Sequence, residues 1–362
     1  SLSPGRGADQ PYPRAMRYIE IEGMRLSRIG LGAWQFGSRE WGYGDGYAKD
    51  VAPALIRRAA ELRITMIDTA EAYGPGRSER IIGETLPSLT DEERAGLVVA
   101  TKFTPIAPAE PIVAWQAAGS LRRLGMDALD LLYVHWKNPF VSARRVMQSM
   151  RPLVDEGLVR RVGVSNFTLA QWREAEAALR APVVANQVQF SLAAPAPAEE
   201  LVPHAEAAGR VVVAYSPLGQ GVLAGRTDWS GAGLGRPQAR LARRRDGLDP
   251  LQVVIRRVAE AHGATSAQVA LAWVISHPNT LAIPGARTIE QLEENAAAAD
   301  LELTEEGLVQ RTEVSRAFAA SASVATWARS DHLPSGRFEA ARENFGRGLP
   351  SVGRRDDRGA EA

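Results

Sequence analysis

Short β-branched runs alternate with amphipathic segments along most of this 362-residue chain, and no other feature constrains the fold as strongly. Each run ends in glycine or polar residues and is followed by a helical pattern, such as VAPALIRRAAELR at 51–63. Strands that alternate with helices form βαβ units, and these units build a parallel sheet. The eight runs lie at 27–34, 65–69, 97–102, 129–135, 161–166, 183–187, 211–216 and 280–284.

Eight such units over about 300 residues match the size of a (β/α)8 TIM barrel. A doubly wound sheet has fewer strands and a GxGxxG turn after the first one, whereas the first run here ends in GLGAW. We therefore predict an α/β barrel domain at 16–318, which opens with a β-hairpin at 17–21 that turns at Glu22 and Gly23 and caps the barrel floor. The leader 1–15 and much of the tail 319–362 are too poor in apolar residues to order, so we expect disorder there.

The charge balance narrows the range of partners. There are 43 basic and 42 acidic residues, and binding to nucleic acid or an anionic membrane would favour a basic excess. The absence of cysteine excludes disulfides and thiolate chemistry. We found no apolar run of membrane-spanning length and no signal-peptide pattern. We expect a cytoplasmic protein, a monomer or small homo-oligomer, that acts on a small molecule.

Charged side chains end three successive predicted strands. The active site of a TIM barrel lies at the carboxyl ends of its strands, and Asp68, Lys102 and His135 occupy that position. Aspartate and lysine are rarely buried unless they are paired, so these two are expected to pair with each other. Each residue alone would suit a structural role, as a helix cap, a rim lysine or a core histidine. Their shared position favours catalysis.

Proton transfer gives this set a chemical purpose. Tyr73 lies in the loop AEAYGPG, and a phenol with a pKa near 10 is a poor acid at neutral pH. A neighbouring ammonium lowers the pKa of a phenol and makes it a better proton donor to a developing alkoxide. In this hypothesis Asp68 orients Lys102, while His135 donates to the carbonyl oxygen and stabilises its negative charge.

The spacing of these residues resembles that of the aldo-keto reductase superfamily. Four residues separate Asp68 from Tyr73, 28 separate Tyr73 from Lys102, and 32 separate Lys102 from His135. Surrounding segments such as IDTAEAYGPGRSERIIGETL, LDLLYVHW and GLVRRVGVSNF are also similar, most closely to the branch of bacterial reductases and potassium-channel β subunits. The resemblance implies reduction of a carbonyl by NADPH, with these four residues catalytic.

The resemblance also implies that NADP(H) lies across the barrel mouth. Ser165, Asn166 and Gln187 match the positions that hold the nicotinamide carboxamide, and Tyr215 matches the aromatic residue that stacks on the ring. Four positions match the pyrophosphate loop, where small residues let backbone N–H groups approach the phosphates: Ser216, Leu218, Gly219 and Gly221. The other positions matched to the cofactor are Ala33, Trp34, Asp68, Arg226, Gly285, Arg287, Gln291, Glu294 and Asn295, and those matched to the substrate are Trp34, Tyr73, His135 and Trp136.

The adenosine end departs from the pattern of well-known NADPH-specific members. Gly285 and Ala286 stand where those members carry Lys-Ser, and Gln291 stands where they carry arginine. Arg287 can make a bidentate contact with a 2′-phosphate. NADPH is therefore expected to be preferred over NADH.

Three segments are expected to shape the substrate pocket: 103–111, 225–250 and the region around Trp327 and Phe338. Loops of such length in a compact fold are commonly functional. Aromatic residues near the predicted mouth indicate an apolar pocket for an aldehyde or ketone. These residues are Trp34, Trp41, Tyr43, Trp136 and Trp229.

Two other functions are compatible with parts of the pattern. A strand-end lysine in a barrel can form a Schiff base, as in a lyase, but Lys102 beside Asp68 should be protonated. A non-catalytic NADP-binding regulatory subunit is the second alternative. Metal and serine hydrolysis are disfavoured, because neither HExxH nor GxSxG occurs. We therefore expect no metal site.

Overall fold

The structure is a computed structural model that describes residues 16–37, 46–225, 249–303 and Ser315. Several predictions fall on residues outside this described part of the chain. They concern the leader 1–15, the tail 319–362 with Trp327 and Phe338, the cofactor position Arg226, and the pocket residues Trp41, Tyr43 and Trp229.

A two-stranded antiparallel hairpin closes the floor of the barrel. Strand β1 (Tyr18–Ile21) pairs with β2 (Met24–Ser27), and the turn residues Glu22 and Gly23 have φ angles of 49° and 78°, as a tight hairpin requires. Apolar side chains of both strands pack against residues that line the lower barrel interior. The predicted hairpin is confirmed, but it extends to Ser27, which the sequence pattern had assigned to the first barrel strand.

Eight parallel strands form the barrel in the order of the sequence. Strands with both faces buried are rich in valine, isoleucine and leucine, and the strand at Val211–Tyr215, with the sequence VVVAY, is an example. The sheet closes where Gly30 N donates to Ala282 O at 2.8 Å and Ala282 N donates to Arg28 O at 2.9 Å. The strands are β3 (Leu31–Gly32), β4 (Met66–Asp68), β5 (Val98–Phe103), β6 (Leu131–Val134), β7 (Val162–Ser165), β8 (Val183–Gln189), β9 (Val211–Tyr215) and β10 (Thr280–Ala282).

Each of the eight predicted runs contains a strand, so the predicted (β/α)8 barrel is confirmed. Strand boundaries differ from the prediction by a residue or more, and most clearly in β3 and β8. The first strand contains only Leu31 and Gly32, because Trp34 already begins a short helix. Strand β8 continues past Gln187 to Gln189, where it pairs with Tyr215.

The helices surround the barrel, and several begin at capping residues that the sequence supplies. Thr90, Thr168 and Thr265 each form a capping box with the third residue of the following helix. The helices are α1 (Trp34–Gly37), α2 (Ala52–Glu61), α3 (Arg77–Thr85), α4 (Asp91–Ala95), α5 (Glu110–Leu124), α6 (Ala143–Asp155), α7 (Leu169–Leu179), α8 (Pro197–Ala208), α9 (Asp249–His262), α10 (Ser266–Ser276) and α11 (Ile289–Ala297), with a π-helical turn at Tyr47–Val51 and 3-10 turns at Leu86–Ser88, Gly219–Gly221 and Ala298–Asp300.

The main hydrophobic core lies between the helices and the barrel. Trp172 of α7 is fully buried there, and its Nε1 donates to Val183 O of β8 at 2.8 Å. Within the described residues, no helix is both long enough and apolar enough to span a bilayer.

A glycine allows α3 and α5 to pack closely. A Cβ atom on Gly83 of α3 would overlap the carbonyl oxygen of Arg123 and the backbone of Leu124 in α5. Helix α3 follows the loop that carries Tyr73, and α5 follows the loop after Lys102. This helix contact therefore helps to set the distance between the two βα units.

We predict that Gly83→Ala lowers the free energy of unfolding by about 2 kcal/mol, because overpacking against backbone forces the helices apart. The matched control is Gly96→Ala. Gly96 has φ −79°, and a Cβ atom there would have its nearest contact at 3.5 Å, so little change is expected. Urea unfolding of the two variants measures the difference, and equal stabilities would contradict the close-packing argument.

Candidate active site

A buried ion pair lies at the carboxyl end of the barrel. Asp68 is the last residue of β4, and Lys102 lies near the end of β5. Lys102 Nζ donates to Asp68 Oδ1 at 2.5 Å and to Thr69 O at 2.7 Å. The two side chains are 0% and 3% exposed. The predicted pairing of Asp68 with Lys102 is present.

The second oxygen of the Asp68 carboxylate is also occupied, because Gln187 Nε2 of β8 donates to Oδ2 at 2.7 Å. A buried charge is expensive unless hydrogen bonds replace the lost water, and here the barrel supplies them. Burial lowers the pKa of Lys102, but Asp68 and Tyr73 together raise it by more, so the pKa lies above its usual value. Lys102 is therefore held as an ammonium.

Tyr73 and His135 form the accessible part of the site. The Tyr73 hydroxyl lies 3.3 Å from Lys102 Nζ, and its ring meets the His135 ring edge-on with centroids 5.7 Å apart. His135 follows β6 directly, and its N–H donates to Phe103 O at 3.0 Å. The Trp136 ring lies 4.5 Å from the His135 ring. All three aromatic side chains are only partly buried, so a small molecule can reach them.

The loop with Tyr73 packs closely against the end of α1. Gly74 has φ +60°, and a Cβ atom there would overlap the Gly37 backbone. Glycine adopts this left-handed conformation without a steric penalty. Two glycines therefore allow the tyrosine loop to lie directly against the residues after β3.

A second tyrosine near the ion pair differs in its environment. Tyr133 of β6 is fully buried, with its ring centroid 5.9 Å from Lys102 Nζ. Burial, and then the Asp68 carboxylate, raise the pKa of Tyr133 well above its usual value. This phenol therefore keeps its proton.

Polar residues at the ends of β7 and β9 adjoin one another. Ser165 Oγ donates to Gln187 O at 3.0 Å, and Asn166 Nδ2 donates to Ser165 Oγ at 3.1 Å. The Tyr215 hydroxyl donates to Asn166 Oδ1 at 3.0 Å. Asn166 has φ 61°, a conformation that asparagine tolerates better than most residues. The structure thus joins the predicted nicotinamide residues through direct contacts.

The predicted pyrophosphate loop is a tight turn after β9. Ser216, Gly219 and Gly221 all have positive φ angles. The Gly219 N–H donates to Ser216 O at 2.9 Å, and the Gly221 N–H donates to Leu218 O at 3.0 Å. These two amides are therefore engaged within the turn, whereas the prediction had them available to a phosphate.

The predicted adenosine-end residues lie between β10 and the first turns of α11. Gln291 Oε1 accepts from the Arg287 N–H at 2.9 Å, and Asn295 Nδ2 donates to Gly285 O at 3.4 Å. Arg287 is exposed, and Glu294 is partly buried on α11. The structure brings these residues together on one segment.

Two contacts with this segment were missed by the sequence interpretation. The Tyr47 hydroxyl donates to Ala286 O at 2.8 Å, and a Cβ atom on Gly285 would overlap the Gln35 side-chain amide. Neither Gln35 nor Tyr47 carries a recognisable motif. On the same side, Ala33 N donates to Asp68 O at 2.8 Å and precedes the partly buried Trp34.

No group of three or more histidine, aspartate or glutamate side chains that could hold a metal ion occurs in the described ranges. The site therefore combines a buried ion pair, the accessible phenol of Tyr73 and the accessible imidazole of His135. Beside them lies a group of polar residues, Ser165, Asn166 and Gln187, which we call the polar cradle. Such a mouth defines a barrel enzyme suited to proton transfer at a polar carbon–oxygen group.

Comparisons with known proteins identify the family. The sequence model of the aldo/keto reductase family matches residues 28–315, and the chain belongs to that family of oxidoreductases. The predicted family is confirmed.

Relatives and solved structures agree with this assignment. An uncharacterised oxidoreductase of Mycobacterium tuberculosis is 46% identical, over 84% of this chain and 94% of its own length. Methylglyoxal reductase YeaE of Escherichia coli is 33% identical, over 80% of this chain and 91% of its own. The crystal structure of an aldo/keto reductase from Klebsiella pneumoniae with NADP and acetate has 30% identity and a TM-score of 0.67, covering 85% of this chain and 97% of that one.

We predict that Lys102→Met lowers the free energy of unfolding at pH 8 by about 3 kcal/mol, because it leaves the Asp68 carboxylate buried without a cation. The loss should be smaller at pH 5, where Asp68 can take up a proton. The double variant Asp68→Asn/Lys102→Met serves as the control and should recover most of the stability. Denaturant unfolding measures all three, and a double variant no more stable than Lys102→Met would contradict the prediction.

Proposed function

We propose that this protein reduces an aldehyde or ketone to an alcohol with NADPH, and that Tyr73 gives the proton to the carbonyl oxygen. The supporting observation is the position of the Tyr73 hydroxyl, 3.3 Å from an ammonium that Asp68 holds in place. An ammonium at this distance favours the phenolate that Tyr73 becomes when it releases its proton. The arrangement supports general acid catalysis at neutral pH.

The polar cradle fits a nicotinamide carboxamide. A carboxamide presents an acceptor and donors in one plane, and the Ser165 hydroxyl and Asn166 amide adjoin at 3.1 Å. Tyr215 borders this cradle through its contact with Asn166 and offers a ring for stacking. When bound, the cofactor supplies the hydride for the carbonyl carbon.

Arg287 supports NADPH over NADH, because an exposed guanidinium can contact the 2′-phosphate with two hydrogen bonds. Gln291 holds the Arg287 backbone in place. Two neighbouring structures, both of Klebsiella pneumoniae aldo/keto reductase, are complexes with NADP and NADPH. We propose that this chain binds the same cofactor.

His135, Trp34 and Trp136 are the proposed substrate contacts. His135 lies beside Tyr73, where it can donate to the carbonyl oxygen and stabilise charge that develops there. Trp136 stands against His135 and offers an apolar wall. Because the Escherichia coli relative is named a methylglyoxal reductase, small oxoaldehydes are the first substrates to test.

The two alternative functions, a Schiff-base lyase and a regulatory subunit, can be distinguished from a carbonyl reductase. A Schiff-base lyase needs a neutral amine, whereas the raised pKa of Lys102 favours the ammonium. A non-catalytic regulatory subunit would bind NADPH without oxidising it. A panel of aldehydes, ketones and quinones, followed by NADPH absorbance, distinguishes a reductase from such a subunit.

We predict that Tyr73→Phe lowers kcat for aldehyde reduction by about three orders of magnitude, because it removes the proton donor. NADPH affinity, measured by fluorescence titration, should stay within about twofold, since the hydroxyl is not part of the proposed cradle. Tyr18→Phe, in the hairpin on the barrel floor, is the matched control and should retain full activity. Activity of Tyr73→Phe equal to that of the control would disprove the mechanism.

We predict that Arg287→Leu weakens NADPH binding by about tenfold or more while NADH binding changes little, because only NADPH carries the 2′-phosphate. Fluorescence titration with each cofactor provides the measurement. Arg257→Leu, at an exposed position on α9, is the control for loss of surface charge. Equal effects on the two cofactors would exclude a phosphate contact by Arg287.

A further inference from the structure

Glu71 lies two residues before Tyr73 and links two βα units. Its Oε1 atom accepts from the Thr104 N–H at 2.6 Å and from Gln116 Nε2 at 2.9 Å. Thr104 lies in the loop after β5, just beyond Lys102, and Gln116 lies on α5. One carboxyl group thus ties the loop that carries the proposed acid to the unit that carries its ammonium partner.

The backbone of Glu71 reinforces this link. Its N–H donates to Lys102 O at 3.1 Å, and its carbonyl oxygen accepts from the Gly76 N–H at 2.7 Å. Gln116 Nε2 donates in addition to Thr104 O at 3.0 Å. Glu71, Thr104 and Gln116 therefore form a closed set of contacts, which we call the Glu71 clip. It spans the segments whose separation determines the distance between Tyr73 and Lys102.

Two charged groups face the Glu71 carboxyl. Glu79 of α3 raises its pKa, and Arg123 of α5 lowers it. Arg123 Nε is already paired with Glu79 Oε2 at 2.6 Å, and Glu79 Oε1 accepts from the Thr101 hydroxyl at 2.6 Å. Burial is the largest influence, and the pKa of Glu71 rises to about 7.

This ionisation has a definite effect on stability. Between the ordinary pKa of 4.5 and the folded value of about 7, the folded chain binds more protons than the unfolded chain. The contribution of Glu71 to stability therefore falls as the pH rises through that range and is constant above it. A glutamine would accept the same hydrogen bonds without this cost. The ionised Glu71 carboxyl group lowers the stability of the folded chain, and it lies two residues from Tyr73, the proposed acid. A destabilising group at this position points to a functional role.

We propose, on the basis of the proposed function, that Glu71 is a positioning residue whose protonated carboxyl group holds the Tyr73 loop against the loop after β5. Hydrogen bonds to a charged acceptor are about twice as strong as those between neutral groups. Burial outweighs this gain, because the pKa of Glu71 lies well above its ordinary value, so the protonated acid holds the Thr104 N–H and the Gln116 amide more firmly than the carboxylate does. The clip loosens as the pH rises above 7, and Tyr73 is then held less closely against Lys102.

The first test measures the ionisation and needs no substrate. Melting temperatures of the wild type and Glu71→Gln are compared from pH 5 to pH 8.5, with Glu84→Gln, an exposed position on α3, as the matched control. The advantage of Glu71→Gln over the wild type should grow up to about pH 7 and then level off. The control should show no such trend. A difference that does not vary with pH would overturn the ionisation.

The second test measures the clip directly. Hydrogen–deuterium exchange at the Thr104 amide, corrected for intrinsic rates, should be about fivefold faster in the wild type than in Glu71→Gln at pH 8. At pH 6, where the wild-type carboxyl is protonated, the two proteins should agree. Equal exchange at pH 8 would overturn the proposal, whether or not the protein reduces any carbonyl tried.

The third test measures the consequence for catalysis. The wild-type kcat should fall as the pH rises through an ionisation near pH 7 that Glu71→Gln lacks, so that the wild type is about fivefold slower than the variant at pH 8 and equal to it at pH 6. The KM for NADPH should stay within about twofold. A loss of kcat that is the same at every pH would indicate a purely structural role and overturn the proposal.

A variant of Gln116, which donates a hydrogen bond to the Glu71 carboxyl, tests the clip without changing Glu71 itself. Gln116→Met removes one donor to the carboxylate at similar volume, so the ionisation should move upward by about one pH unit in both the melting and the kcat profiles. An apparent pKa that does not move in Gln116→Met would contradict the clip.

The Glu71 proposal and the reductase proposal can fail separately. If Tyr73→Phe abolishes reduction but Glu71→Gln retains the wild-type pH profile, the Glu71 proposal fails alone. Wild-type protein that reduces nothing, yet shows the predicted exchange, would refute the reductase proposal alone.

Discussion

The buried pair of Lys102 and Asp68 is the interaction on which the rest of the site depends. Two charges removed from water need partners for every remaining hydrogen-bonding group. The Thr69 carbonyl and the Gln187 amide supply them from β4 and β8, which the closed barrel brings to the same interior. Because the ammonium is fixed in this way, the Tyr73 hydroxyl can rest beside a charge whose position does not vary.

The mouth of the barrel is built from loops that bond to their neighbours. Glu71 bonds to Thr104 between the loops after β4 and β5. Asn138 Nδ2 donates to Pro105 O at 2.5 Å, which joins the loop after β6 to the loop after β5. Such side-chain links to backbone groups satisfy polar atoms that would otherwise lie unpaired beside the core. They also hold accessible groups in place above a rigid ion pair.

The fold and the central pair could be predicted because both leave local signals. Alternating runs marked all eight strands, and Asp68 and Lys102 stood at neighbouring strand ends. The exact strand limits were not predictable, since β8 passes Gln187 and β3 contains only two residues. These limits depend on pairing with other strands. The contact from Gln187 to Asp68 joins residues 119 positions apart, and no local pattern indicates such a partner.

The sequence by itself determined the strand and helix order, the hairpin turn, and the residue types at the strand ends, because these follow from side-chain periodicity and backbone preference. Tertiary structure alone decided which polar atoms meet. The sequence around Glu71 does not indicate whether its carboxyl group is exposed or buried. Only tertiary structure raises its pKa to about 7, because burial and the nearby Glu79 outweigh the opposite effects of Thr104 and Arg123. Desolvation and nearby charge depend on position in space and not on position in the chain.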